Sequence, residues 1–291
     1  MKPRRHADLA DLVRSACTHA SHLDREISLV AFEVQDHTLG WLRPSFANAL
    51  RRWPHWFAFA PERVRFTATP DTAQGRTAAL AQVTRALAAE GMIAGWRDEE
   101  VSVSHHYAAP EMLRIERAAT RAFGMVAYGA HLTGLTRRDG EAHLWIARRS
   151  ASKSVDPDRL DNLVGGRIAS GFTVEETIRK EAWEEAGLPP AMLRGVPCVG
   201  ALRVEYSVPE GLHREILFVH DLWLPEDFTP RNTDGEVSAH YCMSIPATIE
   251  ALLAGEFTPD AGTVTVDALL RLGVVAPEDP QYLDLVRLTK P

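Results

Sequence analysis

The stretch "GGRIASGFTVEETIRKEAWEEAGLPP", residues 165–190, fixes one element of the chain at both ends. Thr173 with Glu176 three residues on makes a capping box, in which a hydroxyl and a carboxylate satisfy orphan backbone N–H groups, so a helix begins there. Gly187 readily takes the left-handed conformation that ends a helix, and the prolines after it cannot continue one. About thirteen helical residues lie between these signals. Val174, Ile178, Ala182 and Ala186 form the apolar stripe. Glu181, Glu184 and Glu185 crowd the last two turns, where like charges weaken a helix. With Glu181 as the zero of angle, Val174 lies at about 20°, Glu185 at about 40° and Ile178 at about 60°. Two carboxylates therefore share the side that should face the core, and unpaired charge there is costly. A solvated acidic face would lie opposite the stripe; a bound cation resolves the conflict. Clustered carboxylate oxygens suit magnesium or manganese, whereas zinc would want histidine or cysteine.

The rest of the chain divides into two parts. Residues 7–22 have helical periodicity, "SLVAFEV" (28–34) alternates as a strand does, and residues 72–92 read as an alanine-rich helix ending near Gly91. Pro110 and the loss of alternation place a join near 108–117, giving an N-terminal α/β domain over 1–115 and a second domain over 116–291. The second opens with two strands around the hairpin turn Arg138-Asp139-Gly140. Strands in "VPCVGALRVEYSV" and "HREILFVHDLWL" and helices at about 263–272 and 280–288 follow the glutamate helix. The expected class is α+β, a layered mixed-sheet domain behind a smaller α/β one.

A net charge of -7, from 39 acidic and 32 basic residues with no long basic block, excludes nucleic acid as the main partner and favours small ligands. Cys17, Cys198 and Cys242 form no CxxC pair, which points to a reducing compartment, with the cytoplasm as the expected location. No apolar run has the length of a membrane span, and the arginine-bearing start lacks the apolar core of a secretory signal.

Residues 166–188 resemble the Nudix box, G-x5-E-x7-R-E-U-x-E-E-x-G-U with U apolar. Gly166, Glu181, Glu184, Glu185, Gly187 and Leu188 fit it. Phe172 stands where the first glutamate belongs, and Lys180 replaces the arginine. "GWRDEE", "ERAATRAFGMVAYGAHLTGL", "LWIARRSASKSVDPDRLDNLVGG", "LPEDFTPRNTDGEV" and "GEFTPDAGTVTVDALLRLG" are similar to the Nudix subfamily related to thiamine pyrophosphokinase-associated proteins, whose members carry an extra N-terminal domain. The resemblance implies a Nudix α/β/α sandwich, Mg2+ or Mn2+ as cofactor, and hydrolysis of thiamine diphosphate or its damaged oxo and oxy forms, a metabolite-repair reaction. Its partner is a small-molecule diphosphate, with no nucleic acid and no membrane; a homodimer is left open.

Glu181, Glu184 and Glu185 are the expected metal ligands, and Glu236 in "NTDGEV" is the expected further ligand or general base. Arg148, Arg149 and Lys153 in "ARRSASKS" suit phosphate oxygens; strand alternation lets only one of the two arginines face the site, and Arg149 is favoured. His131 in "YGAHLTG" matches a family motif and is a candidate for lining the pocket. Trp145, Tyr206 and Trp223 are candidate aromatic walls, although a strand tryptophan is more often core. "GWRDEE" either reaches the ligand or makes the interdomain contact, the latter favoured. The alternatives are hydrolysis of another nucleoside-diphosphate-type metabolite and a non-catalytic Nudix sensor.

Overall fold

The computed structural model describes residues 28–153 and 155–290; the helix expected over 7–22, with Cys17, lies outside them. The N-terminal part is built from β1 (Val30–Val34), β2 (His37–Leu42), α1 (Pro44–Ala49), β3 (Phe57–Ala60), β4 (Arg63–Phe66) and α2 (Ala73–Ala89). Its sheet has the order β2-β1-β4-β3, with β1 parallel to β4 and the other pairs antiparallel. Thr72 caps α2 by accepting from Gly75 N at 3.1 Å, and Leu80, Val83 and Leu87 face inward at helical spacing. Phe32, Phe57 and Phe66 pack from the sheet into one aromatic core. This core runs on through the hairpin β5 (Glu100–Val103) and β6 (Leu113–Glu116) and the short α3 (Ala119–Ala122) to Phe123 and Met125.

The C-terminal part comprises β7 (Ala127–Arg138), β8 (Glu141–Arg149), β9 (Leu160–Asn162), β10 (Val164–Arg167), α4 (Val174–Ala186), β11 (Cys198–Val208), β12 (Gly211–Trp223), β13 (Val237–Ser244), α5 (Ile245–Leu253), α6 (Pro259–Arg271) and α7 (Tyr282–Thr289). β7 and β8 form the expected hairpin, with Asp139 and Gly140 both at positive φ, as a turn of matching twist demands. The sheet is mixed, ordered β11-β12-β7-β8-β13, with β12 parallel to β7 and the remaining pairs antiparallel. Pairing of β7 with β8 stops at Gly134–Trp145. Beyond that point β10 takes up the edge of β7 and β9 the edge of β8, so the sheet splits where the functional side chains gather.

Helices cover both faces. Ile178, Ala182 and Ala186 of α4 pack on Ala130, Leu132, Trp145 and Val164. Fully burying a side chain such as Ile178, 4% exposed, contributes about 2 kcal/mol. On the opposite face α5, α6 and α7 cover Leu135, Leu144, Leu202 and Leu217 through Leu252, Leu269 and Leu285. The domain is thus an α/β/α sandwich behind a smaller α/β domain, an α+β protein. No helix among the described residues is long and apolar enough to cross a membrane.

Candidate active site

The glutamate helix α4 is held at both ends. Thr173 Oγ1 accepts from Glu176 N at 3.2 Å, while Glu176 Oε2 accepts from Thr173 N at 2.9 Å. At the other end Gly187 sits at φ 64°, and Leu188 N donates to Ala182 O at 3.0 Å, closing the left-handed cap. The loop after β12 docks on the carbonyls this cap leaves free: Arg231 N donates to Ala186 O at 3.0 Å and Thr233 N to Glu184 O at 2.7 Å. Asn232 Oδ1 then accepts from both Asp234 N and Gly235 N at 3.0 Å, fixing the turn that delivers Glu236 to the same site.

Glu185 is 7% exposed, and its Oε2 accepts from Gly165 N at 2.8 Å. Burial, with the charges of Asp161 and Glu181 adding to it, pushes this carboxyl up to about 8. Glu181 folds across Gly166, where a Cβ would come 2.3 Å from Glu181 Cγ; only glycine leaves that space. Burial raises the Glu181 carboxyl as well. Lys180, at the position of the box arginine, donates to Glu184 Oε2 at 2.7 Å and Glu181 Oε1 at 3.0 Å. Burial opposes the ammonium, yet these bonds hold Lys180 above its ordinary value. Lys180 thus neutralises the outer carboxylates, while Glu185 faces the negative charges of Asp161 and Glu181.

The cations come from the β8 end. Arg149 lines the cavity and is tied down by Asp161 Oδ2 at 2.7 Å and by the carbonyls of Asp156 and Val155 at 3.0 and 2.9 Å. Arg148 points elsewhere: it makes a bidentate pair with Asp158 at 2.7 and 3.0 Å, and does not line the cavity. Adjacent strand residues face opposite sides, so its expected place among the phosphate-binding groups is corrected to a surface pair. Lys153 contacts the Glu236 carboxylate. Burial draws the Lys153 ammonium below its ordinary value, against the charges of Glu185, Asp161 and Asp234.

Most of these groups share one cavity of about 610 Å3, a size suited to a small ligand; Gly165 lines it, whereas the buried Glu185 bonded to Gly165 N does not. Glu181, Glu184, Glu236, Arg149, Lys153 and His131 line it. His131 is buried, with Nδ1 2.8 Å from Asn162 Oδ1 and its ring against Gly165. The expected aromatic walls are absent from the lining: Trp145 is packed beneath α4, Tyr206 stacks on His213, and the Arg137 guanidinium lies over Trp223. Phe172, 48% exposed, lines the cavity in their stead. "GWRDEE" does both things considered for it. Arg97 and Glu99 line the cavity, while Glu100 O accepts from Ser170 N at 2.9 Å across the domains.

Other lining residues escaped the sequence reading: Asp161, Arg167, His213, Glu215 and Asp260. Asp161 sits in "DRLDNLVGG", beside the box, and its place in a strand running toward Gly165 was the available signal. The others meet only in the fold. Arg167 Nη2 donates to Glu215 Oε2 at 2.8 Å, and His213 Nε2 lies 3.2 Å from Asp260 Oδ1. His213, Glu215 and Asp260 approach closely enough to grip an ion, but Arg167 already offsets Glu215. The α4 carboxylates are the better cation seat, because burial there leaves Glu185 against like charges, and an all-oxygen set fits a hard divalent ion.

A family model described as NUDIX domain matches residues 127–262, and one described as Domain of unknown function (DUF4743) matches 9–127. The chain is 33% identical to Nudix hydrolase 24, chloroplastic, of Arabidopsis thaliana over 98% of its own length and 79% of that protein's. It is 34% identical to Nudix hydrolase 20, chloroplastic, of the same plant, over 88% of its own length and 71% of that protein's. A crystal structure from Deinococcus radiodurans aligns with a TM-score of 0.43 at 24% identity, covering 58% of this chain and 98% of that one.

Proposed function

Because the chain belongs to the Nudix hydrolases, enzymes of phosphoanhydride bonds, we propose that it is a metal-dependent diphosphatase converting thiamine diphosphate, or its oxo and oxy forms, to the monophosphate and phosphate. The observation that carries the diphosphatase reading is a cavity that receives Glu181, Asp161, Arg149 and Lys153, with Glu185 buried behind the lining residue Gly165 and facing the charge of Asp161. The substrate reading is supported by the separated motifs shared with the thiamine-related subfamily.

Glu181, Glu184 and Glu185 would hold Mg2+ or Mn2+, which supplies neutralisation of the diphosphate's crowded charge. The chain's own groups do the rest. Arg149, pinned by Asp161 and two carbonyls, offers a rigid guanidinium to phosphate oxygens, and Lys153, paired with Glu236, adds a point charge. Glu236, beside Lys153 on the turn that Asn232 fixes, would serve as a further metal ligand or as the general base for the attacking water, a role its presence at the same cavity supports. The scarcity of cysteine and the absence of a CxxC pair support a reducing, cytoplasmic setting.

Phe172 in place of the first box glutamate favours one second reading, a sensor that binds the same ligand without turning it over. Product analysis with and without magnesium, following free phosphate from thiamine diphosphate and its oxo and oxy forms and the paired organic monophosphates from ADP-ribose and a dinucleotide, separates these readings. Magnesium-dependent release with the thiamine compounds preferred supports the proposal. Preference for ADP-ribose removes the substrate reading, and saturable binding without release removes the enzymatic one.

A further inference from the structure

The cavity is not closed by the C-terminal part alone: Arg97, Glu99, Arg117 and Arg121 line it from the N-terminal part, whose core runs on to Met125, beyond the expected join at 115. The junction that brings them there is closely fitted. β12 starts at Gly211, where a Cβ would sit 2.2 Å from Arg121 O, and Arg214 Nη1 donates to Gly124 O at 3.0 Å. Arg167 Nη1 reaches Thr120 Oγ1 at 3.4 Å, one residue before Arg121. Arg117 is engaged by Glu99 at 2.8 Å. Arg121 is not engaged: among the described residues its half-buried guanidinium has no hydrogen-bond or ion-pair partner. A cation so placed lacks an acceptor that a ligand can bring.

Asp260 faces the same space from the start of α6. Its side chain is 24% exposed, with Oδ1 turned toward buried His213; burial opposes its charge, and His213 above all, then His131 and Arg121, hold its carboxyl below the ordinary value. β10 relates this end to the carboxylate end. Gly165 N holds Glu185, and Arg167, which holds Glu215, lies two residues along the strand, roughly 7 Å away.

We propose that the N-terminal domain is the half of the substrate site that reads this substituent: Arg121 donates to an acceptor on a planar nitrogen heterocycle, and Asp260 accepts from its ring N–H or amino group. The inference rests on the diphosphatase reading for the seat of the phosphates and deepens it. It gives a ligand-binding role to a region whose family model is described as a domain of unknown function.

The test is calorimetric titration of the full chain with magnesium and either thiamine diphosphate, which carries such a ring, or inorganic pyrophosphate, which carries none. Arg121→Ala weakens thiamine diphosphate at least about tenfold, the scale of one lost charged hydrogen bond, and leaves pyrophosphate within about twofold. Asp260→Asn gives the same ring-dependent pattern, and retained pyrophosphate binding certifies that each variant is folded. Equal weakening of both ligands, an unchanged affinity for thiamine diphosphate, or a wild type that binds the two alike overturns the proposal. Phosphate release in the same samples keeps the two readings apart. Ring-selective loss without any wild-type release removes the diphosphatase reading alone, whereas release without ring-selective loss removes only this one.

Discussion

Glu185→Gln separates the charge of the buried carboxylate from its shape. In the metal-free fold this carboxyl stands at about 8 against an ordinary 4.5, raised by burial and by Asp161 and Glu181, with the Gly165 N–H and Lys153 opposing. A folded value above the unfolded one means that the folded chain keeps a proton the unfolded chain has lost. Stability therefore falls as pH rises from about 4.5 to about 8 and levels beyond. Between pH 6 and 8 the loss is about 2 kcal/mol, each full unit being worth about 1.4. Glutamine cannot ionise, and its amide oxygen can still accept from Gly165 N, so the variant lacks this slope. The assay is urea unfolding of metal-stripped protein at both pH values, repeated with magnesium. Wild type is expected to lose about 2 kcal/mol more than the variant, and magnesium to restore wild type alone, because a bound ion favours the ionised carboxylate. Turnover of the variant should drop to a small residue. Parallel pH dependences, or equal stabilisation of both proteins by magnesium, would refute the reasoning.

Gly166→Ala drives a Cβ to 2.3 Å from Glu181 Cγ and should displace that carboxylate, lowering kcat/KM by about a hundredfold in phosphate-release assays. Thr173→Ala removes the helix cap and should cost about 1 kcal/mol in chemical denaturation, with activity kept wherever the fold is kept. Arg149→Ala should raise KM about tenfold or more, whereas Arg148→Ala, which breaks a surface pair with Asp158 and a contact with Tyr241 away from the cavity, should leave KM within about twofold.

What the sequence exposed and what it hid follow the range of the forces involved. The ends of α4 were readable because capping is local: Thr173 and Glu176 act within one turn at its start, and Gly187 within one turn of its last carbonyls. The Asp139-Gly140 turn was readable for the same reason. β10, "VGGR", was not, because its glycines carry no strand preference and are there to let His131 and Glu181 approach the backbone. β13 and α5 were passed over although Ser244 as cap and Pro246 in the first turn were local signals. In the site, the box spacing points to the α4 glutamates, and alternation along β8 distinguishes Arg149 from Arg148. Asp161, Asp260 and Arg121 come from three separate stretches and meet only through the split sheet and the domain junction. No local pattern encodes that meeting. The aromatic walls failed because strand position does not tell which side a ring serves: Trp145 and Tyr206 went to the cores beneath α4 and α6, and Trp223 to the exposed end of β12.

The central claim is that the α4 carboxylates seat a divalent ion on which cleavage of a diphosphate depends. Anomalous scattering from crystals soaked in manganese tests it most directly. One or more strong peaks within bonding distance of Glu181 and Glu185, lost in Glu185→Gln crystals, is the predicted result; manganese bound only elsewhere, with those two carboxylates empty, contradicts the account.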